Sequence, residues 1–146
     1  MEAWDGACCE PLVISHQLKL LLLPGRYAIC RFPANSFPPP SWATRGGFLS
    51  ITRTPDELSG VCEEQSVPAD VPAERGRRLM RVVGPLDFSL TGVLASLAVP
   101  LAEAKVSIFV ISTYNTDYLL VSESDAEKAI SALEQAGHSI HRSAIT

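Results

Sequence analysis

Residues 106–121 read VSIFVISTYNTDYLLV. Two apolar runs, Val106 to Ile111 and Leu119 to Val121, are held apart by Ser112, Thr113, Tyr114, Asn115, Thr116, Asp117 and Tyr118. Short apolar runs bounded by turn residues read as strands. The first is nearly continuous, as in a strand buried on both faces. Asn115 and Thr116 can turn a hairpin, which needs roughly two or three turn residues. The surplus polar groups then have two readings. Either they are turn chemistry with Asp117 as a solvated flank, or the gap holds a polar ligand.

Working outward, Leu90, Val93, Leu94, Leu97, Ala98 and Leu101 recur at the spacing of one helical face, and Leu79 to Val83 reads as a strand before it. Pro100 removes a backbone donor and predicts a kink near the last turn. Beyond the hairpin, Ser124 with Glu127 three residues on predicts a capped helix. Ala126, Ala129, Ile130 and Leu133 are its buried face, and Gly137 is its stop. His138 to His141 follow as a short strand. The order strand, helix, strand, strand, helix, strand is the α+β, ferredoxin-like βαββαβ plan, an antiparallel sheet with both helices on one face.

The first half is less regular. Residues 1–15 lack a period and read as an N-terminal tail. Leu18 to Leu23, the turn Pro24-Gly25, and Tyr27 to Phe32 read as strand, turn, strand. Three successive prolines make 33–41 a loop, and Phe48 to Arg53 is a further strand. Thr54-Pro55-Asp56-Glu57 has the signature of a helix start, predicting a short helix ending near Glu64 or Gln65. Residues 66–76 read as a connector. The expected organisation is a first unit over 16–75, partial or rearranged, and a second over 76–146.

Composition narrows the function. A hydrophobic content of 47% with 19% charged residues is that of a globular chain rather than a disordered one. A net charge of −4, and no dense Lys/Arg face, argue against nucleic acid. The cluster Arg75, Arg77, Arg78 and Arg81 reads as a strand flank. Cys8, Cys9, Cys30 and Cys62 follow no metal or redox spacing, so no metal and no cofactor is expected. Leu18 to Leu23 is too short to span a bilayer, and the start lacks a signal-peptide pattern. The expectation is a cytoplasmic protein with reduced thiols and no membrane partner. Nothing resembles a nucleophile with its base. His16, His138 and His141 lie toward the chain ends, and His138 and His141 read as a solvated sheet end. Gly46-Gly47 is a loop rather than a phosphate cradle. No enzyme is expected.

A second polar cluster precedes the first helix of the pair: Asp87, Ser89, Thr91 and Gly92. Asp87 or Ser89 reads as a helix cap. Gly92, taken as lying in the first turn, costs up to about 1 kcal/mol against alanine and would admit a ligand or another backbone. Free amides there favour an anion such as a carboxylate.

The segments FLSITRTPDEL (48–58), PLAEA (100–104) and 106–121, in this order, resemble the ACT-domain proteins related to the cytosolic arginine sensors, the CASTOR type. The resemblance spans roughly residues 16–140. It implies tandem ACT-like units, regulatory binding of a free amino acid at an ACT–ACT interface, and no catalysis. Carried over by motif, the ligand-binding residues are Thr91, Gly92 and Val93, then Ser112, Thr113, Tyr114 and Asp117. Asp117 would take the cationic end of the amino acid. The acidic residue that the sensors carry just before this glycine has become Leu90 or Thr91. The chain is also shorter than the sensors, which bind between two of several ACT units, so a homodimer would have to supply the interface. The regulated protein is unknown. The alternative is a ligand-free protein-interaction or dimerisation module.

Overall fold

A computed structural model of the chain describes residues 16–36, 38–84, 86 and 91–142. Expectations for the 1–15 tail, for Cys8 and Cys9, and for capping by Asp87 or Ser89 therefore lie outside the described residues.

The fold is α+β: β1 (Lys19–Leu22), β2 (Tyr27–Phe32), β3 (Leu49–Arg53), β4 (Leu58–Glu63), β5 (Ala73–Val82), α1 (Val93–Glu103), β6 (Phe109–Ser112), β7 (Asp117–Ser122), α2 (Ala126–Gln135) and β8 (Ser139–Arg142). From β5 onward the order is the expected βαββαβ. One pairing departs from it. β1 lies between β5 and β8, antiparallel to β5 and parallel to β8, so one sheet runs β6-β7-β5-β1-β8.

β5 is the hinge of the molecule. Toward its C-terminal end it pairs with β1 and β7, and toward its N-terminal end with β2, beyond which lie β4 and β3. The expected strand at 79–83 is therefore a ten-residue strand reaching back to Ala73. Between Tyr27 and Ile29 the register shifts against β5, and Gly76 has φ +69°. A glycine with positive φ fits such a bulge. The Gly76 N–H donates to Glu64 Oε1 at 2.6 Å.

Side chains sort by strand alternation into three cores. Leu20, Leu22, Met80, Val82, Leu119 and Val121 pack beneath Leu97 and Leu101 of α1 and Ala129 and Leu133 of α2. The opposite face offers Leu79 and Leu120, which meet Tyr27 and Val61 of β2 and β4. The outer side of β2–β4 carries Ala28, Cys30, Phe32, Leu58 and Cys62, covered by Ala43 and Trp42 of the 3₁₀ turn Ser41–Thr44 and by Val67. Helices, the β6-β7-β5-β1-β8 part of the eight-stranded sheet and its β2–β4 part thus form three layers.

The helix predicted at 54–64 is a turn followed by β4. Thr54 Oγ1 does accept the N–H groups of Asp56 and Glu57, at 3.2 and 3.1 Å, but Thr54 N–H also donates to the Glu57 carbonyl and closes a hairpin. Residues 58–63 then pair with β2 on one side and β3 on the other. Gly60 gives the reason this strand packs so closely. A Cβ there would stand 2.8 Å from Ile51 Cδ1 and 2.9 Å from Phe32 Cε2.

β6 is also different from expectation. Among the described residues it is an edge strand with Phe109 exposed, and it pairs only with β7. α2 has the expected buried face, but Ser124 lies in a 3₁₀ turn and shares a hydrogen bond with Ser122 instead of capping. Its other end is as foreseen. Gly137 N–H donates to the Glu134 carbonyl and His138 N–H to that of Leu133, with Gly137 at φ +99°.

His138 is not at a solvated sheet end. It is buried, with its Nδ1 accepting the Leu18 N–H at 3.0 Å and its Nε2 donating to the Ser96 carbonyl at 2.9 Å. Four residues after Ser96 comes Pro100, inside α1, which has no N–H to offer that carbonyl. The histidine supplies the missing donor.

Candidate functional site

The opening stretch is first of all a well-closed turn. Thr113 donates its N–H and its hydroxyl to the Thr116 carbonyl at 2.8 and 3.0 Å, and the Thr116 N–H returns to Thr113 Oγ1 at 3.3 Å. Ser112 and Asp117 face each other across β6 and β7, and the serine hydroxyl donates to Asp117 Oδ1 at 2.7 Å. Tyr114 is 81% exposed at the tip, which makes it a surface group rather than a pocket wall.

This turn is fastened to the C-terminal end of β5. Buried Thr116 donates its hydroxyl to the Val82 carbonyl at 2.7 Å, and the Asn115 carbonyl accepts the Leu86 N–H at 2.8 Å. Gly84 allows the approach, since a Cβ there would stand 3.1 Å from the Asn115 oxygen. The β6–β7 turn therefore sits beside the segment that leads from β5 toward α1.

At the start of α1, Gly92 is the N-cap with φ +78° and ψ 0°, and its carbonyl accepts the Ser96 N–H. The glycine is thus a left-handed cap, not a residue of the first turn. Among the described residues its Cβ position meets only His16, at 3.7 Å, and its positive φ calls for glycine. Val93 is buried in the helix, and the Thr91 carbonyl accepts from His16 Nε2 at 2.6 Å. A left-handed non-glycine residue costs about 1–2 kcal/mol. Gly92→Ala is accordingly expected to lower stability by that amount in urea unfolding, and an unchanged midpoint would show that the cap does not hold this conformation.

Of the expected residues, the structure groups Ser112, Thr113, Tyr114 and Asp117 on one turn and Thr91, Gly92 and Val93 on one helix start. Thr116 fastens the first group to the C-terminal end of β5, and His16 meets the second at Thr91 and Gly92.

Two clefts were not anticipated. One, of about 310 Å³, opens where the layers part, between β3–β4 and the edge strand β6, with Ser50, Thr52, Ser59, Phe109 and Ile111 among its walls. The larger, of about 900 Å³, is lined by Pro24, Gly25, Arg26, Glu63, Glu64, Gln65, Arg75, Arg78 and Glu123. Arg26 lies between Glu64 and Glu123 at 3.3 and 3.2 Å, and the hydrogen bond to Glu123 raises its pKa further. Nearby, burial and then the charge of Glu63 push the Tyr27 phenol up, with Arg78 pulling the other way. No periodicity marks these residues in the sequence, because the cleft joins four separate segments. Among the described residues no group of His, Cys, Asp and Glu could hold a metal ion, and no helix is long and apolar enough to cross a membrane. Cys30 and Cys62 are free and buried.

Comparison with known proteins places this geometry. A family model described as ACT domain matches residues 73–135, and a model for an N-terminal domain matches 25–70. The human cytosolic arginine sensor for mTORC1 subunit 1 is 33% identical over 107 residues, which is 70% of this chain and 32% of that protein. The match thus spans about a third of the curated relative's length. A crystal structure of an Agrobacterium tumefaciens protein is 42% identical, with TM-score 0.83, covering 90% of this chain and 97% of that one. The regulatory subunit of aspartate kinase from Thermus thermophilus, 15% identical with TM-score 0.58 over 80% of this chain and 96% of that one, shares the fold.

Proposed function

From the match of residues 73–135 to the ACT-domain family we propose that the chain is a regulatory module that binds a free amino acid and catalyses nothing itself. The observation that carries this reading is the polar β6–β7 turn fastened by Thr116 to the C-terminal end of β5, the strand that precedes α1 and its left-handed Gly92 cap in the chain. The ligand's carboxylate would face the N-terminus of α1, where free amides and the helix dipole favour an anion. Its cationic end would face Asp117. The related arginine sensor supports an amino acid as ligand.

In this reading the chain is two ACT-like units, 16–75 and 76–146, that share β5, and a homodimer completes the ligand interface. The exposed edge of β6 supports pairing, because an uncovered strand edge invites another chain. The protein works in the cytoplasm on a regulated partner protein. The rival reading, a ligand-free interaction module, is favoured by one observation: Ser112, Thr113, Thr116 and Asp117 already satisfy one another or the backbone.

A thermal-shift panel of free amino acids separates the two. Binding to the folded state alone must raise the melting temperature, and no shift with any amino acid defeats the proposal. For a cationic ligand, Asp117→Asn keeps shape and removes charge. Its expected loss is about 1.5–3 kcal/mol, the range for a hydrogen bond to a charged group, or more than tenfold in affinity by calorimetric titration with arginine or lysine. Equal binding by the variant would take Asp117 out of the site.

A further inference from the structure

The larger cleft, toward the opposite ends of β5 and β7 from the turn at 113–116, has an unbalanced set of partners. Its carboxylates are occupied. Glu64 holds Arg26 and the Gly76 N–H, Glu123 holds Arg26, and Glu63 accepts from the Gly47 N–H and the Gln65 amide. Two of its three arginines have no carboxylate among the described residues. Arg75 donates to the carbonyls of Val67, Pro68 and Val71, at 3.5, 2.8 and 3.2 Å. Among the described residues Arg78 makes one bond, from Nη2 to the Leu23 carbonyl at 3.3 Å, and its buried Nε has no partner.

We propose that this cleft is a binding site for a small oxyanion, a carboxylate or a phosphate, taken by Arg78 with Arg75 adding a second positive charge. A guanidinium carries five N–H donors in a planar fork that matches either anion with two parallel bonds. Arg78 uses one donor on a neutral carbonyl and leaves another unsatisfied in a covered position, an arrangement that costs stability. Turning the guanidinium toward the cleft exchanges that state for a charge-assisted pair. The volume of about 900 Å³ is in the range of small-molecule sites, roughly 300–1,000 Å³. Arg26, held by Glu64 and Glu123, fixes one wall and tethers the β1–β2 turn to the bulge at Gly76 and to the segment before α2. The site shares no residue with the proposed amino-acid site, so either can fail without the other.

The test titrates the full chain with inorganic phosphate and, separately, with succinate, against chloride at matched ionic strength. Wild type is expected to show saturable binding to at least one of them. Arg78→Met is expected to weaken it at least tenfold, and Arg78→Lys, which keeps charge but loses the fork, to fall between. Saturation by phosphate alone assigns a phosphate ligand, and by succinate alone a carboxylate. Since Arg78→Met could perturb folding, NMR titration of the wild type supplies a second readout. The Arg78 Nε–H and the amides of Gly25, Arg26 and Gln65 should shift together. No saturable response to either anion, equal response in a folded Arg78→Met, or shifts confined to other residues would overturn the proposal.

Discussion

His138→Ala is expected to lose on the order of 3 kcal/mol of folding stability. Each buried polar group left without its partner costs about 1–3 kcal/mol, and this change orphans two, the Leu18 N–H and the Ser96 carbonyl. It also empties part of the core beside α1 and β1. The effect should depend on Pro100, because Pro100 is the reason the Ser96 carbonyl needs a side-chain donor at all. Restoring an N–H with Pro100→Ala in the His138→Ala background should therefore recover part of the loss by re-forming the helical bond. Urea unfolding of both single variants and the double variant gives the coupling directly. A loss below about 1 kcal/mol for His138→Ala, or strict additivity with Pro100→Ala, would show that the histidine does not serve this carbonyl.

Leu79→Ala should cost about 2–5 kcal/mol, the range for truncating a buried leucine. Leu79 is fully buried and lies opposite Leu120 in the β5–β7 ladder. Its side chain is on the face turned away from the helices, against Tyr27 and Val61 of the second sheet. In a lone βαββαβ unit that face would meet solvent, and the same truncation would fall within about 0.5 kcal/mol, as exposed changes usually do. The magnitude thus reports whether the two sheets pack as layers. A loss under about 1 kcal/mol by equilibrium unfolding contradicts the three-layer arrangement.

The second half was legible because its signals are local. The helical spacing from Val93 to Leu101, the buried quartet of α2, the stop at Gly137 and the two apolar runs around 112–118 all act within a few residues of themselves. Each is fixed by a periodicity or a cap that needs no distant partner. The sequence singled out Gly92 and the 112–117 turn, and the structure joins the turn to β5 through Thr116, a residue that had been given only a turn role.

Where the reading failed, a long-range contact had overruled a local one. Thr54 offers its hydroxyl to the next N–H groups in a turn as it would in a helix cap, so the two cannot be told apart there. Only pairing of 58–63 with both β2 and β3 decides for strand. Val106 to Ile111 is apolar enough for a central strand, yet β6 is an edge, because nothing in a strand's composition says how many neighbours it has. Sequence by itself determined the class, the βαββαβ order and the polar turn between β6 and β7. Tertiary structure alone decided that β1 enters between β5 and β8, that β5 bulges at Gly76 to serve two sheets, and that His138 is buried on Ser96. The physical reason is that strand partners and buried hydrogen bonds join groups far apart in the chain, 120 residues between Leu18 and His138, and no local pattern encodes which distant group will arrive.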